Sequence, residues 1–287
     1  MLAVYKKELR SYFTSMIGYV FIAFSLIIIG ISFYRQNLTT GIANFEYTIT
    51  DVTIVFILLV PILTMRLMAE ERKQKTDQLL LTVPLKPSDI VIGKFLAVFT
   101  ILLIVMGIVS FYPLIINIYG DVPFAAAYSS ILGFCLLGAA YLAIGMFISS
   151  LTDSQVVAAV ITLVTFIVTG LIDGIALVIP SDGKTAYIFF TLIIIAIGLI
   201  LYRMMNNLTV AIGVGAIAEI GLTIAYLTKP MAFDGSIVKV SSWLSVLSRF
   251  NNFRLGILDI ADLIYYLSIV FIFLFLTIQV VKKRRWS

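Results

Sequence analysis

The chain has 287 residues, 61% of them hydrophobic and only 12% charged, with a formal net charge of +5. A soluble domain of this length would be about half apolar and about a quarter charged. Histidine is absent and cysteine occurs once, as Cys135, which excludes an intrachain disulfide, a His/Cys metal centre and histidine-based acid–base catalysis.

The apolar residues lie in runs of about 20, the length that crosses a hydrocarbon core of roughly 30 Å. Only helices satisfy every backbone polar group within such runs, so the expected fold is all-α and polytopic. Residues 1–15, MLAVYKKELRSYFTS, come first. Leu2, Tyr5, Leu9, Tyr12 and Phe13 share one helical stripe, with Lys6, Lys7 and Arg10 on the other side. This pattern predicts an amphipathic helix lying in the interface with its cations toward anionic lipid headgroups; the simpler alternative is a polar flank of the first span.

Eight apolar segments follow, at 16–34, 51–69, 91–119, 124–150, 155–179, 187–204, 209–227 and 261–281. Pro61 within the second predicts a tolerated kink. The third and fourth are long enough to tilt or to extend beyond the bilayer. The sixth and seventh are joined only by the turn at Asn206 and Asn207, a tight hairpin. Eight spans put both termini on one side. With the termini inside, fourteen lysines and arginines fall on the cytoplasmic side and six outside, and the positive-inside rule selects that orientation. The stretch 228–260 is then external, and Trp243, Phe250 and Phe253 among polar residues predict short interfacial or re-entrant helices there.

The densest charge lies in AEERKQKTDQLLLTVPLKPSDIVIGK, residues 69–94, on the cytoplasmic side. Glu71 with Lys75 and Lys73 with Asp77 are i,i+4 pairs, which favours a helix from Ala69 to Val83. Thr76, Leu79, Leu80 and Val83 give it one less polar face. Pro84 and Pro87 stop it, and Ser88 and Asp89 are N-cap candidates for the restart. A helix, a turn and a restart joined to two spans can pass displacement between a cytoplasmic partner and the membrane; the plain alternative is a solvated loop.

Two intramembrane acids stand out. Glu219 lies halfway along the seventh segment, where a carboxylate costs a few kcal/mol unless it faces protein or water. Ala211, Gly215 and Glu219 share one small-residue face suited to close helix packing. The residue reads either as a proton- or substrate-linked site or as a carboxyl hydrogen-bonded to a neighbouring helix. Asp173, near the outer end of the fifth segment, is positioned to reach the interface. Asp182-Gly183-Lys184-Thr185 resembles the end of a phosphate loop but lacks its first glycine, since Val178 stands there. Asn37-Leu38-Thr39 and Asn207-Leu208-Thr209 match the glycosylation acceptor at chance frequency.

RLMAEERKQKTDQLLLTVPLKPSDIVIGKFLA resembles the first cytoplasmic loop of ATP-binding-cassette type 2 (ABC-2) transporter permeases. ISSLTDSQVVAAVITL at 148–163 is similar to the family's stretch between the fourth and fifth spans. Residues 247–287 resemble the C-terminus of the branch containing gliding-motility and nitrous-oxide-reductase maturation permeases. The resemblance implies a single transmembrane permease domain over 1–287, a second permease copy or paralogue, and separate cytoplasmic ATPase subunits that bind the ATP and magnesium. This chain itself would then carry no cofactor and no catalytic residue. It further implies that Glu70, Glu71, Arg72, Lys75, Thr76 and Asp77, within the coupling segment 70–90, dock on the ATPase, that residues 1–15 form a connecting helix, and that 241–260 is the outer interfacial or re-entrant segment before the last span. The implied role is export of an amphiphilic or lipid-like substrate across the plasma membrane, with room for an auxiliary membrane subunit. Family members commonly have six spans, so 187–227 stands out as an added hairpin. Two other readings stay open: a stand-alone proton-coupled secondary transporter using Glu219, and a non-transporting anchor or mechanical subunit.

Overall fold

The structure is a computed structural model, described for residues 1–73, 85–178, 180, 182–205 and 208–286. Among these residues there are helices and no strands. In chain order they are α1 (Leu2–Thr14), α2 (Ile17–Phe33, continued by a π-helical turn over Tyr34–Thr39), α3 (Glu46–Thr64), α4 (Arg66–Lys73), α5 (Pro87–Val109), α6 (Tyr112–Ile116), α7 (Phe124–Leu151), α8 (Gln155–Val178), α9 (Gly183–Met205), α10 (Leu208–Thr228), α11 (Ser236–Leu244), α12 (Val246–Arg254) and α13 (Ile260–Trp286). Six stretches of described helix are long and apolar enough to span a membrane: Ile17–Thr39, Glu46–Lys73, Pro87–Ile116, Phe124–Leu151, Gln155–Ile172 and Ile260–Arg284. The expected hairpin corresponds to α9 and α10, of 23 and 21 residues.

Several boundaries differ from the sequence expectation, for identifiable reasons. The second span begins at Glu46 rather than 51, because its polar first turns have partners. Thr48 donates to Asn37 Oδ1 at 2.6 Å, and Asp51 accepts from Arg35 at 2.5 Å and Gln36 at 2.6 Å. Asn37 is thereby buried and committed to hydrogen bonds, which accounts for it without glycosylation. Beyond Pro61 the helix breaks at Met65 and resumes as α4. The restart at α5 is capped by Lys86 with Pro87 in its first turn, not by Ser88 or Asp89. The stretch 241–260 takes in the end of α11 and the whole of α12, divided at Ser245.

The chain divides into two compact units, residues 1–169 with 246–287, and residues 170–245. The first is organised around α7, most of whose side chains are buried. Glycines make this possible. A Cβ on Gly145 would lie 2.5 Å from Thr64 Oγ1, one on Gly133 2.5 Å from Phe253 Cβ, and one on Gly138 would collide with Leu102. Helices α3, α12 and α5 therefore approach the α7 backbone closely, as small residues allow in membrane bundles. The end of this unit carrying α12 is pinned by polar contacts: Arg249 pairs with Asp262 at 2.7 Å, Asn252 donates to Asp262 at 2.6 Å, and Tyr266 donates to the Val246 carbonyl at 2.6 Å.

In the second unit α9 packs on α10, and Tyr187, Tyr226 and Phe233 form a ring cluster with centroid spacings of 5.0 and 5.3 Å. On the small-residue face expected on α10, Glu219 meets Thr191 of α9 at 2.9 Å, while nothing among the described residues lies within 4 Å of a Cβ placed on Gly215. Asp182 caps α9 by accepting from the Thr185 hydroxyl at 2.6 Å, and that hydrogen bond holds its carboxyl below the ordinary aspartate pKa. The fragment resembling a phosphate loop is therefore a helix start.

Candidate functional site

The opposite end of the first unit gathers α1, α4, the start of α5, the α7–α8 turn and the end of α13. Helix α1 packs along α5, where Gly93 admits it: a Cβ there would lie 3.0 Å from Val4 Cβ and 3.1 Å from the Met1 carbonyl. The buried stripe of α1 is Val4, Glu8 and Tyr12, while Lys6 and Arg10 are exposed. Leu2, expected on the apolar side, is 67% exposed, and the acid Glu8 occupies the buried face instead.

Glu8 is there because Lys94 is opposite it. Lys94 is only 1% exposed, and its ammonium lies 3.1 Å from Glu8 Oε1 and 2.9 Å from Glu71 Oε1. A buried ammonium without carboxylate partners would be strongly unfavourable, so the three side chains define one another's positions. Lys7 closes the group at 3.3 Å from Glu71 and 3.4 Å from Glu8. Burial works against the Lys7 ammonium, but Glu71 and Glu8 outweigh it and raise its pKa. Burial also raises the pKa of the adjacent Tyr12 phenol, whose hydroxyl donates to the Leu63 carbonyl at 3.4 Å. A single ionic node thus joins the N-terminal helix, the start of the charged island and the third span.

A second node follows on the next residue. Arg72 donates to the carbonyls of Ser150 and Thr152, the latter at 3.2 Å, and pairs with Asp153 at 3.4 Å. Arg284 near the end of α13 reaches the same Asp153 at 3.4 Å. Just before it, Ser149 Oγ accepts the amides of Met68 and Ala69 at 3.2 and 3.1 Å and donates to the Met65 carbonyl at 3.1 Å. The α4 N-terminus is therefore capped by a residue far away in sequence. The three stretches that resemble type 2 permeases meet at this node.

Of the expected docking residues, Glu71 and Arg72 turn into the protein, and Glu70 lines a cleft beside α1. Lys75, Thr76 and Asp77, with most of the expected helix to Val83, lie outside the described residues. Asp173 is on α8, with its side chain likewise outside them. Glu8, Lys94, Asp153 and Ser149 were not singled out from the sequence. Lys94 carried a usable signal, a lone lysine just inside an apolar run, which requires a buried acid.

Glu219 lies within the second unit. Its Oε1 accepts from Tyr187 at 3.0 Å and from Thr191 at 2.9 Å, and Tyr187 also meets Thr223 at 3.0 Å. Its other oxygen, Oε2, is buried with no hydrogen-bond partner among the described residues.

Paired apolar spans, a helix laid across one end and ionic nodes at that end define a polytopic helical membrane protein with a structured polar face. The family model described as ABC-2 family transporter protein matches residues 34–279. The chain belongs to the ABC-2 transporter family, a membrane transport component whose members work with an ATP-binding-cassette subunit. No curated protein matches it. The matched residues include Glu71, Lys94 and Asp153 but not Glu8, which precedes them.

Proposed function

We propose that the chain is the permease subunit of an ATP-driven exporter in the plasma membrane, with both termini cytoplasmic. It pairs with a second permease copy or paralogue, carries an amphiphilic or lipid-like substrate, and is of the gliding-motility or nitrous-oxide-reductase maturation type. A separate cytoplasmic ATPase docks on the segment 70–83. The carrying observation is Lys94, buried between Glu8 and Glu71. It ties the root of that segment to α1 and α5 together, so that displacement of the segment moves both. In this reading Glu71 and Arg72 transmit force from within, and the partner-facing contacts are made by Glu70, Lys75, Thr76 and Asp77.

Purification from membranes should recover the ATPase with the permease. Replacing 74–83 by a Gly/Ser linker of equal length should abolish that recovery and substrate-stimulated ATP hydrolysis while leaving insertion intact. Retained recovery and transport would overturn the docking assignment. The unpartnered Oε2 of Glu219 favours one second reading, proton-coupled transport by the chain alone. That reading requires gradient-driven flux by the purified chain without ATPase, lost in Glu219→Gln.

A further inference from the structure

A cleft of about 390 Å³ opens beside α1, with Ser11, Ser15 and Arg66 lining it next to the ionic node. We infer that it binds the phosphodiester of a glycerophospholipid headgroup, with Arg66 as the cationic ligand and the hydroxyls of Ser11 and Ser15 as neutral donors. Glu8 and Glu71 are engaged by Lys7 and Lys94 within 3.4 Å. The half-buried Arg66 has no ion-pair or hydrogen-bond partner among the described residues, although it lines the same cleft. A guanidinium in such a place presents donors shaped for an oxyanion.

The lining carries three cations and three carboxylates, so it is neutral overall, and the donors of Arg66 suit an anion of low charge. A phosphodiester carries about one negative charge, whereas free phosphate or a phosphomonoester carries between one and two near pH 7. The three carboxylates in the lining, Glu8, Glu70 and Glu71, act against a more highly charged anion. The location suits a lipid. The cleft sits where the amphipathic helix turns through Ser15 and Met16 into the first span, with Ile17 and Leu67 supplying apolar wall. Beside that turn Phe13 and Tyr19 pair at 5.2 Å, and Met16 and Tyr19 are 72% and 58% exposed, an anchor pattern for headgroup depth. The lipid would brace α1 against the α3–α4 break, beside the Lys94 node whose side chains line the same cleft.

The test needs neither ATPase nor transport, so it stands or falls apart from the proposed function. The full chain is purified in detergent, and binding of a short-chain phosphatidylethanolamine is titrated by native mass spectrometry. Wild type should bind one lipid with high occupancy. Arg66→Gln should weaken it about tenfold to a hundredfold, the range for one charge-assisted contact, with Arg66→Lys intermediate. Arg10→Gln, an exposed cation on the same surface, should leave binding unchanged. Equal weakening by Arg10→Gln would mean non-specific attraction and would overturn the site. Displacement of the lipid by millimolar inorganic phosphate would overturn the diester assignment. Thermal unfolding of Arg66→Lys close to wild type guards against a folding artefact.

Discussion

Removing the Lys94 ammonium tests the ionic node most directly. Lys94→Met keeps a long apolar stem but leaves Glu8 and Glu71 facing each other in a site where the lysine was 1% exposed. Each lysine–carboxylate contact, at 3.1 and 2.9 Å, has a gross attraction of roughly 5 kcal/mol at an effective dielectric of about 20. Desolvation of the three groups opposes most of this, and the net cost of removing one member of a buried pair is about 3–5 kcal/mol. Lys7 still bridges both acids but is 59% exposed, so it recovers only part of the loss, and the low end, about 3 kcal/mol, is the expected value. Cys135, the single cysteine, is half-buried on α7 and serves as an unfolding reporter with a thiol-reactive fluorogenic dye. Lys94→Met should unfold several degrees below wild type. Adding Glu8→Gln and Glu71→Gln should restore most of the difference, because the triple variant buries no unpaired charge. If the single variant melts with wild type, or the triple variant melts lower still, the node does not hold α1 and α4 as argued.

Arg72→Ala should cost about 2–3 kcal/mol by the same assay, since it leaves two buried-side carbonyls without their donor. Arg284→Ala should cost at most about 1 kcal/mol, because Arg284 and Asp153 are 38% and 75% exposed. Gly145→Ala should destabilise by about 1–3 kcal/mol through its clash with Thr64. Thr64→Ala should relieve that only in part, as Thr64 Cβ would still lie 2.8 Å from the new methyl; Gly107→Ala, with nothing within 4 Å, should be neutral or better. The raised pKa of Lys7 means its contribution is complete below the ordinary lysine value of 10.5 and is lost as pH climbs through the higher folded value. Melting temperatures measured from pH 8 to 11 should therefore fall more steeply in wild type than in Lys7→Gln once the pH passes 10.5.

Apolar runs of bilayer length leave the backbone one solution, so the all-helical, polytopic fold was legible in residues alone, while six of the eight expected spans appear at full length among the described residues. So was the island as an exceptional segment, because nine of the 26 residues at 69–94 are charged in a chain that is 12% charged. Local pairing rules then suggested that Glu71 would face Lys75. Lys75 lies outside the described residues; within them the tertiary structure brings Lys94 and Lys7 to Glu71, and takes Arg72 to the α7–α8 turn. An exposed i,i+4 pair is worth only a few tenths of a kcal/mol, whereas leaving Lys94 alone in the bundle would cost several. The same competition put Glu8 on the buried side of an otherwise well-read amphipathic helix. Periodicity assigns residues to faces by their average polarity. Which charge is buried depends on the opposite charge that folding brings to it, here from 86 residues away in the chain for Glu8, and only the assembled helices determine that.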